Sequence, residues 1–256
     1  MKYFSIAILL TFGFANLTTT TFSQNKFNGK KITFKSLDGI EITADLYANV
    51  ESNKNVSPII LLFHQAGYSR GEYREIAPRL NKLGFTCIAI DQRSGNKVNG
   101  IINSTHLKAK ANGLPTKYPD AYQDLQSTLN YTIANYPNRK IIIWGSSYSS
   151  SLVFILANQN PELISGVLSF SPGEYFELDG KTIATFAKGV ICPVFITSAK
   201  NEHGSWEEIY TAVPNPNKHS FLPESKGFHG SKALWIEKPG NKEYWEAVIT
   251  FLTSLN

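Results

Sequence analysis

The segment Ile141-Ile142-Ile143-Trp144-Gly145-Ser146-Ser147-Tyr148-Ser149-Ser150-Ser151 passes from continuous apolar side chains into small ones and then into a helical pattern. Those residue types in that order suit a serine nucleophile. An alcohol attacks a carbonyl carbon only when a base can take its proton and backbone N–H groups face the developing oxyanion, and a sharp strand-to-helix turn provides for both. Ser147 stands at the centre of such a turn, in a G-x-S-x-G arrangement whose last glycine is replaced by Ser149. A serine-rich helix cap uses the same residue types, so the other parts of the chemistry have to be found elsewhere in the chain.

The base has to be His64, His106, His203, His219 or His229. His229 lies in Lys226-Gly227-Phe228-His229-Gly230, after the last apparent strand, where glycines on both sides free the imidazole to project from a loop. A carboxylate must then hold the ring in the tautomer that accepts from the serine and must stabilise the imidazolium that forms. Glu202, which follows Val194-Phe195-Ile196-Thr197 through Ser198-Ala199-Lys200-Asn201, meets this need, and Glu174 in Ser171-Pro172-Gly173-Glu174 is its rival. An oxyanion requires two backbone donors. His64-Gln65-Ala66-Gly67 follows an apolar run and carries small residues, which assigns the N–H of Gln65 as one donor and the N–H of Tyr148 as the other. His64 itself reads as an anchor of that turn.

These side chains need a scaffold. Residues 31–36 and 41–47 alternate apolar with polar around Asp38-Gly39, which predicts a hairpin with one wet face. Residues 58–63, 85–90, 140–144, 163–170 and 191–197 are nearly continuous apolar runs, as parallel strands covered on both faces should be, and 218–222 forms a last strand. Helical periodicity appears over 73–83, 121–133, 150–157 and 243–255. Strands that alternate with helices predict an α/β fold with a mostly parallel, twisted sheet of about eight strands flanked by helices. Residues 94–119, rich in Asn, Gly and Lys, show no period and read as an irregular segment, either a binding loop over the site or mobile surface, too short to form a large cap domain.

His64-Gln65-Ala66-Gly67, Asp91-Gln92-Arg93-Ser94-Gly95, Gly145-Ser146-Ser147-Tyr148-Ser149, Ala199-Lys200-Asn201-Glu202 and Gly227-Phe228-His229-Gly230 stand in an order that resembles the α/β-hydrolases, in particular the dienelactone-hydrolase-like and small secreted esterase branch. The resemblance spans almost all of residues 24–256. Gln65, Ser149 and Ala199 stand where that family commonly has glycine, and Glu202 where it commonly has aspartate. What the resemblance implies is an α/β-hydrolase fold and a serine hydrolase that cleaves a carboxylic ester through Ser147, His229, Glu202 and an acyl-enzyme, without metal or organic cofactor. An amidase or peptidase-type hydrolase on the same machinery, or a catalytically inactive hydrolase-fold binding module, are the alternatives. Asp91 and Arg93 are expected to tie down their loop.

The whole chain sets further bounds. Its 256 residues, 42% hydrophobic and 18% charged, suit one globular domain, here residues 24–256. Residues 1–23 read as a signal peptide: Lys2 precedes an apolar core too short to span a bilayer comfortably, and Ser23 offers a small residue for cleavage. A secreted or periplasmic protein with no stable membrane insertion after cleavage is expected. The net charge of +5 is modest and the lysines are scattered, which argues against nucleic acid as a partner and leaves a small-molecule or glycan-linked ester as substrate. Cys87 and Cys192, each in an apolar run, are expected to be buried free thiols.

Overall fold

The computed structural model describes Met1, residues 29–48 and residues 57–255. Apart from Met1, the segment 1–23 read above as a signal peptide lies outside the described residues.

Among the described residues ten strands form in chain order: β1 (Lys30–Lys35), β2 (Glu41–Tyr47), β3 (Ile59–Phe63), β4 (Thr86–Ile90), β5 (Lys97–Val98), β6 (Ile101–Ile102), β7 (Ile141–Ser146), β8 (Gly166–Phe170), β9 (Val194–Thr197) and β10 (Lys218–Phe221). Eight of them make one sheet in the order β1-β2-β4-β3-β7-β8-β9-β10, antiparallel across β1/β2 and β2/β4 and parallel beyond. Seven α-helices accompany them among the described residues: α1 (Ile76–Lys82), α2 (Ser104–Ala111), α3 (Tyr122–Asn135), α4 (Tyr148–Gln159), α5 (Ile183–Ala187), α6 (Glu207–Ala212) and α7 (Asn241–Ser254).

The continuous apolar runs become strands buried on both sides because each feeds two cores. Along β3, Ile59, Leu61 and Phe63 point to a core shared with α3, α4, α5 and α6, while Ile60 and Leu62 point to one shared with α1 and α7. Among the described residues no large cap domain rises over the sheet. β3 and β7 are neighbours although the chain visits β4 between them: the connection leaving β3 runs to β4 on one side and that leaving β7 runs to β8 on the other, which makes the carboxyl ends of these two strands the topological switch point where open α/β sheets bind ligands.

Two buried ionic clusters fasten the loops at that edge. Arg93 is fully buried, paired with Asp124 at 2.8 Å and with Asp38 at 2.6 Å, which joins the β1/β2 turn to α3. Arg70 reaches Asp91 at 2.7 Å and Asp45 at 3.0 Å. Asp91 and Arg93 therefore brace the loop after β4, as expected. Both cysteines are free and buried.

The stretch 94–119 is not the irregular loop that its composition suggested. It contains the β5/β6 hairpin, turned by Asn99 and Gly100 at φ 49° and 77°, and then α2, whose first turn is capped by the Asn103 side chain accepting from His106 N. Asn-Gly is a strong hairpin signal and Asn a good cap, but two-residue strands carry too little periodicity to stand out. Thr105 Oγ1 accepts the Thr43 N–H, so α2 lies against the sheet edge, and Tyr118, from the end of the stretch, stacks on Tyr148.

Candidate active site

The nucleophile turn forms where β7 ends and α4 begins. Ser147 has φ 58° and ψ −126°, a conformation that costs a side-chain-bearing residue on the order of 1–3 kcal/mol and that surrounding contacts must hold. They do so from both sides: Ser147 N donates to Phe170 O of β8 at 2.8 Å, and Ser150 N returns to Ser147 O at 2.8 Å. Ser149, the departure from the glycine pattern, accepts the Ser146 N–H and donates to Phe63 O of β3 at 2.7 Å, so its hydroxyl ties the turn to the neighbouring strand. At Gly145 an added Cβ would lie 2.3 Å from Ser149 O and 2.5 Å from Ser150 Cα. Gly145→Ala should therefore push α4 away and destabilise the protein by roughly 1–3 kcal/mol. An unchanged thermal midpoint would mean that the turn yields without cost.

Three of the expected side chains meet in line. Ser147 Oγ lies 2.8 Å from His229 Nε2, and His229 Nδ1 lies 2.6 Å from Glu202 Oε1. A carboxylate can only accept, so Nδ1 carries the proton and Nε2 is left as the acceptor facing the serine. Partial burial works to raise the Glu202 pKa, but hydrogen bonds from His229, Ser171 and Ala199 N outweigh it, and the carboxyl titrates below its ordinary range. Glu174 is elsewhere: its two oxygens accept the Ile183 and Ala184 amides at 2.6 and 2.8 Å, capping α5.

The other histidines have different duties. His64 is fully buried, its Nε2 accepts the Gln92 N–H at 3.0 Å, and its Nδ1 donates to Gln65 O at 2.8 Å; burial pushes its pKa down to about 4, so it anchors the turn as a neutral ring. His106 Nδ1 lies against Arg93 O, His203 packs edge-on to Trp206, and His219 packs edge-on to Phe251.

Of the two expected oxyanion donors, one is free and one is taken. Tyr148 is the first residue of α4, where an amide has no intrahelical acceptor and the helix end carries partial positive charge. The Gln65 N–H, in contrast, donates to Glu72 Oε2 at 2.8 Å, which corrects its assignment. The next amide along, Ala66 N, has no hydrogen-bond partner among the described residues. Position in the motif could not separate neighbouring amides, because Glu72 comes from the 3₁₀ turn at Arg70–Tyr73, whose distance to the loop no sequence period encodes.

Ser171 is a further member that the sequence did not mark. It follows β8 with φ 57°, donates from Oγ to Glu202 Oε2 at 2.7 Å and accepts the Gly230 N–H at 2.8 Å, so one hydroxyl orients both the acid and the loop of the base. Around the mouth, Tyr175 donates to Ser171 O at 2.8 Å and stays 40% exposed, while Tyr118 covers Tyr148 at a ring separation of 4.6 Å. Tyr148 and Trp206 are core residues, and Tyr68 stacks on Trp235. Among the described residues no group of three or more His, Cys, Asp or Glu side chains is placed to hold a metal ion.

The sequence profile of the alpha/beta hydrolase fold matches residues 58–190. An esterase from Pyrococcus furiosus superposes with a TM-score of 0.69 at 16% identity, over 89% of this chain and 93% of its own. A dienelactone hydrolase from Anabaena variabilis does so with a TM-score of 0.66 at 14% identity, over 89% and 98%. A thermostable carboxyl esterase from Bacillus coagulans gives 0.67 at 12% identity, over 88% and 98%. At such identities the likeness is one of fold. No curated protein matches the sequence.

Proposed function

The chain belongs to the alpha/beta hydrolase fold family, and from that premise we propose that it is a serine hydrolase acting on a carboxylic ester. The observation that carries this reading is the unbroken contact from Ser147 Oγ through the His229 ring to Glu202, at 2.8 and 2.6 Å. A structural serine needs no imidazole beside it, and an imidazole held by a carboxylate at one nitrogen and by a hydroxyl at the other is the arrangement that makes an alcohol nucleophilic.

In this reading Ser147 Oγ attacks the acyl carbon while His229 Nε2 takes its proton. The carbonyl oxygen becomes an oxyanion and is received by the amides of Tyr148 and Ala66 at the positive end of α4. Collapse of the tetrahedral intermediate breaks the bond to the alcohol oxygen, which takes the proton from His229, and Ser147 is left acylated. A water molecule gives its proton to His229 and repeats the attack; the acid departs and the serine regains its proton. Glu202 stays ionised throughout and balances the imidazolium.

The half-exposed Tyr175 and Tyr118 provide an open, aromatic-walled approach, which favours small-molecule or glycan-linked esters over a deeply enclosed chain. The test is covalent labelling with a fluorophosphonate, with initial rates on p-nitrophenyl acetate, butyrate and octanoate and on the matching p-nitroanilides measured on the same sample. Stoichiometric labelling that abolishes ester turnover is expected. A chain that neither labels nor hydrolyses any of these esters is instead the inactive binding module, and hydrolysis confined to anilides would assign the amidase.

A further inference from the structure

Glu72 is a carboxylate buried without a counter-ion. It is fully inaccessible, and among the described residues no cationic nitrogen lies within salt-bridge distance of it. An apolar side chain could fill that space at far lower desolvation cost, so what its oxygens hold is informative. Oε2 accepts the Gln65 N–H at 2.8 Å, and Oε1 accepts the Ser146 hydroxyl at 2.7 Å. That hydroxyl in turn accepts the Ser231 N–H at 2.8 Å. The backbone carrying the carboxylate is itself fixed, because Trp235 Nε1 donates to Glu72 O at 2.9 Å and Arg70 in the same turn is paired with Asp91.

The three partners come from three different loops. Gln65 belongs to the loop that bears the Ala66 amide, Ser146 precedes the nucleophile, and Ser231 is two residues after His229. The loops are packed against one another: a Cβ added to Gly230 would lie 2.5 Å from Gln65 Oε1 and 2.6 Å from Ser146 Oγ. The loop of the base thus hangs from two serines, each answering to a carboxylate: Gly230 N–H to Ser171 and Glu202, Ser231 N–H to Ser146 and Glu72. We propose that Glu72 is a positioning residue that holds the oxyanion loop, the nucleophile turn and the loop of the base in one register. This inference rests on the hydrolase reading above for its consequence in catalysis, though not for the contacts themselves.

A charged acceptor grips an amide about twice as strongly as a neutral one, so the register should depend on the ionisation of Glu72. Burial pushes its pKa up to about 7, against hydrogen bonds from Gln65 N and Ser146 and the more distant charges of Lys232 and His229. Tyr73 on its own turn, Tyr68, and Tyr148 from α4 also face it, all with raised pKa values and hence neutral in this range. The carboxylate therefore forms as pH rises through neutrality, and both Gln65 and Ser231 amides should become more protected.

The experiment uses the full chain. Glu72→Gln is expected to lower kcat on a p-nitrophenyl ester by roughly 10- to 100-fold with KM changed less than about twofold, the signature of misplaced groups and not of lost substrate contacts. The wild-type profile of kcat against pH should contain an ionisation near neutrality that this variant lacks and that Ser146→Ala retains, displaced to higher pH, because that change removes the hydroxyl's bonds to Glu72 and Ser231 but keeps the carboxylate and its bond to Gln65 N. Amide hydrogen exchange of the wild type, corrected for intrinsic rates, should show protection at Gln65 and Ser231 increasing between about pH 6 and 8. That measurement stands even if Glu72→Gln does not fold or if no ester is turned over, so failure of the hydrolase reading and failure of this one are separable. Protection at both amides that is flat with pH, or a folded Glu72→Gln with the wild-type pH profile and kcat, overturns the proposal.

Discussion

Ser147→Ala should lower kcat on a short p-nitrophenyl ester by about 10⁶-fold and abolish fluorophosphonate labelling, while leaving the fold intact. The size follows from the absence of a substitute hydroxyl. Ser146 Oγ donates to Glu72, Ser149 Oγ donates to Phe63 O, and Ser150 Oγ donates to Ser147 O, so each neighbouring serine already has its proton committed to another acceptor. Rotating one of them toward His229 would break the strand-to-helix turn that presents the nucleophile. Alanine keeps the Cβ and loses only the oxygen, so near-UV circular dichroism and the thermal midpoint should change little. What remains is the rate that the oxyanion amides and binding sustain alone. Retention of more than a few per cent of wild-type kcat would move the nucleophile elsewhere.

The second large effect belongs to Glu202→Gln, which should reduce kcat by about 10⁴-fold. The carboxamide is nearly isosteric, but its NH₂ can donate to His229 Nδ1, which moves the ring proton to Nε2 and turns the acceptor for Ser147 into a donor. The remaining oxygen can still accept from Ser171 or Ala199 N, so the loop geometry should survive. Glu174→Gln supplies the contrast. It weakens two amide hydrogen bonds at the start of α5, far from the imidazole in bonding terms, and should lower stability slightly with kcat unchanged. Measuring both variants side by side, with thermal midpoints, decides the acid; crippled turnover in Glu174→Gln alone would reverse the assignment.

The two effects differ in size for a physical reason. Removing the nucleophile eliminates the covalent route, whereas mispairing the base leaves a small population of the correct tautomer that can still react. Glu202 also illustrates how a glutamate fills a role usually taken by the shorter aspartate. Its longer side chain is braced by Ser171 Oγ and by the Ala199 amide, so Oε1 still arrives 2.6 Å from the ring.

By itself the sequence determined the architecture and the chain order of the reacting groups. Continuous apolar runs as short as Ile59–Phe63, separated by helical stripes, read as strands covered on both faces, and the stripes supply those covers; both follow from the length and period of local segments. The turn at Ser147 was legible for the same reason, since a buried strand, a run of small residues and a helix adjoin in sequence. The β5/β6 hairpin and α2 were legible only in hindsight, through Asn99-Gly100 and the Asn103 cap.

Tertiary structure alone decided which acid meets His229, which amide of the His64–Gly67 loop is free, and what Ser171, Ser146 and Glu72 hold. Glu174 and Glu202 both follow strands by a few residues and look alike locally; one caps α5 and the other faces the imidazole because β8 and β9 deliver their loops to different places. Gln65 and Ala66 are adjacent, and only the side chain of Glu72, arriving from another turn, distinguishes their N–H groups. Hydrogen-bond partners are chosen at the scale of a few tenths of an ångström by packing between segments far apart in the chain, a precision that residue type and spacing do not carry.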